Sequence, residues 1–384
     1  MQLLPHAEIV WCDGRIVSVA ALSGPPPSDG LLWMPAFVDL HVHWPQSHVR
    51  GQFAGQLLPW LRDAIWPAEA AFADPAVAER RAQAFAAACT RAGTCAGLLF
   101  GPPFAQASLQ WAAERVAGYM EGPALMERHG PPELLHPASQ TLRSLTDAAA
   151  GRMFAITPRF APNLTPAGLA ACGALAAQTG WPVQSHLSEN LDEVHWVRDL
   201  FPQAQDYLDV YDQAGLLGPR CILAHAIHVS DREVDRLAAT GTWIAHCPTS
   251  NVALGSGRMP LERLQAAGVP WVLATDVGAG PQLSLLDVMR TFVQVHRGHA
   301  VATAEQSLCR ATAAPGTFLT QFDPSWAGLG TLQPGAPAHL VALPCPTIEG
   351  DSPETLLRAL LAQLPADAET APTAVVQWGR RMFG

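Results

Sequence analysis

The sequence predicts an α/β protein, a TIM-like (β/α)8 barrel with a small accessory β domain made from both chain ends. Three observations predict it. From about residue 33, short apolar runs alternate with longer segments of helical period, as repeated βα units require. Eight such runs occur, enough to close a parallel barrel. The two ends break the pattern with short β-type segments. A chain of 384 residues, 49% hydrophobic and 15% charged, can bury a barrel of about 250 residues with additions.

Residues 1–32 read as two short strands, EIVWCDG and RIVSVA, followed by a Gly/Pro-rich loop. The catalytic barrel is expected over 33–327, with strands at 33–42, 94–100, 115–121, 153–160, 182–187, 221–226, 242–247 and 270–276. Between them the pattern predicts helices, among them 75–93, 165–180, 230–241 and 260–268. Several open on Ser, Thr or Asp, which satisfy the free N–H groups of a first turn, and close on Gly, which accepts a left-handed backbone. Residues 328–384 read as GLGTLQPGAPAHLVAL, a helical stretch and a last strand near AVVQWGRRM. The accessory domain therefore joins 1–32 with 328–384.

A formal charge of −10 repels nucleic acid and anionic lipid in the average field, so a small neutral substrate is the expected partner. The eight cysteines are scattered without a CxxC pair, which excludes a zinc ribbon or thioredoxin-like motif and fits a reducing cytoplasm. The start of the chain has no basic segment before an apolar stretch, and no run of about 18 uncharged apolar residues occurs, so neither export nor a membrane span is expected. All 23 basic residues are arginine. The absence of lysine excludes Schiff-base chemistry, a P-loop lysine and a carboxylated lysine bridging two metals.

The segment FVDLHVHWPQ sets His41 and His43 two apart at the end of an apolar run. On a strand both imidazoles point to one side, a good start for a zinc site. His186 in QSHLSEN, His225 in LAHAIH and Asp276 in LATDVG each fall at the carboxyl end of an expected strand, where barrel enzymes place their chemistry. The physical reading is a mononuclear site held by His41, His43, His186 and Asp276, with one position open to water. Such a cation lowers the pKa of its water to about 7. Asp276 is placed to accept that water's proton, and Glu189, three residues past His186, to carry a proton to a leaving nitrogen. His225 either orients the water from behind the ligands or ligates directly. The HxE and PCxxC pattern of the cytidine-deaminase type is absent.

At this point the chain resembles the guanine deaminases of the amidohydrolase superfamily. The segments FVDLHVHWPQ, QLLPWL with PAEAAFADPA, TPRFAP, HLSEN, LFPQAQDYLDVYDQAGLLGP, LAHAIHVSD, IAHCPTSN and ATDVGAG with SLLDVMR match in order over roughly residues 33–300. The resemblance implies a metal-dependent hydrolase barrel with one Zn2+ per chain on His41, His43, His186 and Asp276, iron (Fe2+) being able to occupy similar sites. It also implies a purine site, with Gln46 and Arg159 reading polar edge atoms of guanine and Phe160 packing on the base, and a homodimer. His246 and His228 are expected to pack behind the site.

Departures from the family pattern lie in VGAGPQLS after Asp276, where Ala279 and Pro281 stiffen a usually glycine-rich loop, and at His339, where related enzymes commonly carry aspartate. The first departure keeps a second reading open, a deaminase of another amino-heterocycle such as 8-oxoguanine, a pterin or an aminotriazine. A lesser reading is a metal-binding scaffold without turnover.

Overall fold

The computed structural model describes residues 1–24, 30–53, 57–114, 118–299, 302–346 and 352–384. The strands are β1 (Ala7–Cys12), β2 (Arg15–Ala21), β3 (Leu31–Pro35), β4 (Phe37–His43), β5 (Thr94–Gly101), β6 (Tyr119–Pro123), β7 (Val183–Leu187), β8 (Cys221–His225), β9 (Trp243–His246), β10 (Trp271–Leu273), β11 (Leu340–Pro344), β12 (Ala374–Gln377) and β13 (Arg380–Phe383). The chain divides into two compact units. One comprises Met1–Asp39, Ala86–Gly97 and Gln282–Gly384; the other comprises Leu40–Phe85 and Leu98–Pro281.

In the first unit, β13, β12, β11 and β3 form a four-stranded sheet, and β1 pairs antiparallel with β2. The strand expected at 33–42 is thus two strands. β3 pairs with β11, Leu340 opposite Pro35, while β4 joins β5. Pro35 lacks the N–H that a continuing ladder needs, and the chain changes sheets immediately after it. The Gly/Pro-rich loop expected after β2 falls largely on 25–29, outside the described residues, as does Gln56 of the QLLPWL segment.

The second unit holds the ends of the strands that carry the predicted site. β7 to β10 form a parallel sheet in chain order, and β4, β5 and β6 form a second sheet of three strands. Near-continuous apolar runs such as CILAH are buried on both faces, as parallel strands covered by helices must be. The segment expected as a strand at 153–160 is not a regular strand. It makes isolated parallel bridges, Leu125 with Pro158 and Ile156 with Val183, so it still links the two sheets. Pro158 removes one ladder donor, and Gln184 compensates by donating its Nε2 to the Leu99 carbonyl (2.8 Å) and the Thr157 hydroxyl (3.0 Å). The strand expected at 115–121 begins at Tyr119, residues 115–117 lying outside those described. Closure comes from backbone bonds beyond β10: Asp276 N–H donates to His41 O (2.8 Å) and His43 N–H to Val277 O (2.6 Å). The strand expected to reach 276 stops at Leu273, and Asp276 takes a left-handed backbone, φ +51°. The fold is an α/β, TIM-like barrel.

Helices follow from their caps. Thr165 accepts from Gly168 N–H ahead of Pro166–Thr179, which ends at Gly180 with φ +68°. Ser230 and Glu233 form a reciprocal cap on Asp231–Thr240. All eight cysteines are free.

Candidate metal centre and pocket

His41 and His43 sit at the end of β4, spaced so that both rings face the same interior. His43 Nε2 lies 3.1 Å from His186 Nε2 and 3.5 Å from Asp276 Oδ1; His41 Nε2 lies 3.2 Å from the same Asp276 oxygen. Potential ligand atoms of His41, His186, His225 and Asp276 all fall within 4.8 Å of one another. The tightest group therefore contains His225 and leaves His43 one step outside, touching two of its members. All five residues are at most a few per cent exposed, apart from the half-buried His186.

Tautomers follow from partners on the far side of two rings. His186 Nδ1 faces the Arg159 carbonyl at 2.5 Å, and His225 Nδ1 faces Asn251 Oδ1 at 3.0 Å. Both partners are acceptors, so each Nδ1 carries the proton and each Nε2 presents a lone pair. The lone pair of His186 points at the Nε2 of His43, and that of His225 has no hydrogen-bond donor among the described residues. Burial, reinforced by neighbouring imidazoles, holds His43 and His186 far below the ordinary histidine pKa, and burial lowers His41 against the pull of Asp276. Imidazoles kept neutral by burial, those of His41, His43 and His186, gathered around one carboxylate are what a divalent cation needs. The donor set fits the implied metal.

The carboxylates divide by environment. Burial works to raise Asp276, yet the His41 hydrogen bond and the charges of His225, His41 and His43 overcome it and hold the group well below the usual carboxylate range. Ser250 Oγ donates to its second oxygen at 2.6 Å. Glu189 is pushed up to about 7, first by burial and then by the like charges of Asp276 and Glu193, against the opposing pull of His225. His225 Nε2 lies 3.5 Å from Glu189 Oε2 and 3.8 Å from Asp276 Oδ2, and Ser256 Oγ donates to Glu189 Oε1 at 3.1 Å. Burial pulls His225 down, but Glu189 and Asp276 together hold it above its ordinary value. His225 and Asp276 both have positive φ, +75° and +51°, conformations that side chains other than glycine rarely adopt and that cluster at functional sites.

Beside these groups opens a pocket. His43, Gln46, Arg159, Phe160, His186, Glu189, His225 and Asp276 line it, so the structure brings together every expected site residue except His41, which lies against its neighbours beneath. Leu57, Trp60, Leu61 and Ala279 add an apolar wall, and Ala279 belongs to one buried cluster with those three. Phe160 meets Trp196 edge-on at 5.8 Å. His246 packs behind the pocket against Trp271, and His228 Nε2 binds the Ser256 carbonyl at 3.0 Å.

Two acidic residues were not anticipated. Glu69, 1% exposed, accepts from Arg159 Nη1 at 2.6 Å and from Gln46 Nε2 at 2.8 Å. It lies on the short helix Trp66–Ala70, which follows a π-helical turn at Leu61–Ile65. Pro67 has no N–H to continue the ladder, which accounts for the break. Glu193 accepts from the backbone N–H groups of Glu189 and Asn190 and from the Tyr207 hydroxyl, and so fixes the turn that presents Glu189. The available signal was an acid inside an otherwise apolar stretch, WPAEAAFA, since a buried carboxylate requires partners.

A family model described as Amidohydrolase family matches residues 32–364. A probable guanine deaminase of Deinococcus radiodurans is 41% identical over 269 residues, 67% of this chain and 61% of that protein. A guanine deaminase of Escherichia coli strain K12 is 36% identical over 277 residues, 69% of this chain and 63% of the other. The matched region thus spans a little under two thirds of these curated relatives. The crystal structure of guanine deaminase from C. acetobutylicum with bound guanine in the active site superposes with a TM-score of 0.87 at 25% identity, covering 98% of this chain and 94% of that one.

Proposed function

The chain belongs to the amidohydrolase family, and from that premise we propose that it hydrolyses guanine to xanthine and ammonia. One observation carries the reading: a convergent set of buried imidazoles and one carboxylate opens directly onto a pocket lined by Gln46, Arg159 and Phe160. The sequence relatives and the guanine-bound neighbour support the choice of base.

In this proposal His41, His43, His186 and Asp276 hold one Zn2+, and the place of His225 in the tight group supports a direct role for it as well. When bound, the cation supplies Lewis acidity and acidifies water at neutral pH. The protein's own groups do the rest. Phe160 and the apolar wall of Trp60, Leu61 and Ala279 exclude bulk water and flank a planar base. Arg159 and Gln46 bind polar edge atoms of the base, the 6-oxo group among them. Glu189, with a pKa near the working pH, takes a proton from the attacking water and returns it to the departing amine, its Oε1 steadied by Ser256. His225 orients the incoming water. The overall balance is guanine plus water giving xanthine plus ammonia.

The test follows ammonia and xanthine released from guanine by metal-analysed, zinc-loaded protein. Robust turnover is expected; a fully metallated protein that leaves guanine untouched would overturn the substrate. Because Ala279 stands in the pocket wall, a second reading keeps the reaction and changes the base to 8-oxoguanine, a pterin or an aminotriazine. A panel of these compounds decides, and clear preference for guanine rejects it.

We further propose a barrel over 33–327 and an accessory β domain from 1–32 and 328–384, supported by the shared sheet of β3, β11, β12 and β13. A homodimer and a cytoplasmic site complete the proposal. Family resemblance and free thiols support them; among the described residues no helix is long and apolar enough to cross a membrane.

A further inference from the structure

Both residues that would read the base are tied to one buried carboxylate. Glu69 Oε2 takes Arg159 Nη1 at 2.6 Å and Glu69 Oε1 takes Gln46 Nε2 at 2.8 Å, with Glu69 and Arg159 side chains 1% and 4% exposed. The two bonds decide which atoms remain for a ligand. A carboxylate accepts and does not donate, so the amide nitrogen of Gln46, not its oxygen, must face Glu69. Gln46 Oε1 then turns to the backbone N–H of Gly278 at 3.3 Å. The amide can no longer flip, and it presents one remaining N–H and one remaining lone pair. Arg159, with Nη1 committed, keeps the rest of its donor fork for the pocket it lines.

Charge gives a second consequence. A guanidinium left alone in this wall would attract anionic ligands; beside Glu69 the pair is neutral overall, and what the pocket offers is directed hydrogen bonding to an uncharged heterocycle. Removing Glu69 would free Arg159 to swing and Gln46 to invert, so an edge carbonyl would lose its fixed donors while the metal-binding groups, held by the backbone of β4, β7, β8 and the turn after β10, stay in place.

Resting on the guanine reading above, we propose that Glu69 is the specificity-determining positioning residue of this pocket. It selects purines bearing a 6-oxo group by locking Arg159 and Gln46 into one donor arrangement. It does not itself touch the substrate.

The probes are guanine and 2-aminopurine, which carries the same exocyclic amine but lacks the 6-oxo group. Wild-type protein is expected to favour guanine strongly in kcat/KM. In Glu69→Gln the ratio falls at least tenfold, mainly through a higher KM for guanine, with metal content unchanged. Glu69→Asp keeps the charge on a shorter arm that reaches one partner but not both, and the ratio falls at least fivefold; this variant carries the test if Glu69→Gln does not fold. As a coupling check, Arg159→Gln lowers the ratio at least tenfold in wild type and less than threefold in the Glu69 variant. A merely structural role would lower Tm and leave the ratio where it was. An unchanged ratio in a folded Glu69 variant overturns this inference alone. Wild-type protein inactive on guanine overturns the functional reading and this inference with it.

Discussion

Glu189 is held on one side by Ser256 and on the other faces His225, in surroundings that raise it to about 7. A carboxyl tuned to the working pH passes a proton in both directions at little energetic cost, which is why its replacement is informative. Glu189→Gln preserves shape and the Ser256 contact but cannot shuttle protons; kcat is expected to fall by about 10²- to 10⁴-fold with zinc still bound. Steady-state kinetics with metal analysis checks it, and unchanged kcat would refute the assigned role. The same scale shows what a sequence can disclose. His41 and His43 declare themselves because strand period puts alternate residues on one face, and His186, His225 and Asp276 because they close apolar runs. Glu69 could not be paired in advance, since Arg159 and Gln46 lie 90 and 23 residues away and only the fold brings them together.

At the scale of elements, the eight-run pattern was legible and its irregular member was not. MFAITPRF has the composition of a strand, yet its ladder is broken into isolated bridges and single backbone bonds, among them Ala155 N–H to Glu121 O and Gln184 N–H to Ile156 O. Pro158 interrupts the ladder by withholding a donor, Gln184 holds the segment from β7 through its side chain to Thr157 and its backbone N–H to Ile156, and Gly122 permits close approach. A Cβ placed on Gly122 would stand 1.8 Å from the Ala155 carbonyl oxygen and 2.5 Å from Thr157 Oγ1. Backbone cannot yield as a flexible side chain does. Gly122→Ala is therefore expected to destabilise the protein by about 3 kcal/mol or more, at the upper end of ordinary overpacking. Chemical denaturation measures it, and a loss below about 1 kcal/mol would show that the segment accommodates a methyl group. Because Arg159 and Phe160 close this same segment, the variant is also expected to raise KM for the base. The helices were read more faithfully, since capping depends on neighbours in sequence: Ser230 and Thr165 each receive the backbone N–H that their position implies.

For the whole molecule, the most direct pH handle lies in the first unit. His339, 2% exposed, precedes β11 in the first unit; its ring meets Trp378 edge-on at 4.8 Å and its Nδ1 accepts from the Trp378 backbone N–H at 3.4 Å. Burial pushes its pKa down to about 4, and among the described residues no hydrogen-bond partner faces its Nε2. The unfolded chain binds this proton near the ordinary value of about 6.5. A depressed folded pKa means that the unfolded state takes up the proton first, so the stabilising contribution is complete above about pH 6.5 and disappears as pH falls toward 4. The difference corresponds to roughly 3 kcal/mol across that window. The neutral replacement His339→Asn offers its amide oxygen to the same N–H and does not titrate. Urea unfolding at pH 7.5, 6, 5 and 4 is expected to give a wild-type curve that falls more steeply than the variant's, the two converging toward acid. The metal-site histidines titrate in both proteins and cancel in the comparison. Parallel curves would mean that His339 is as easily protonated in the folded protein as in water, contrary to its burial against Trp378.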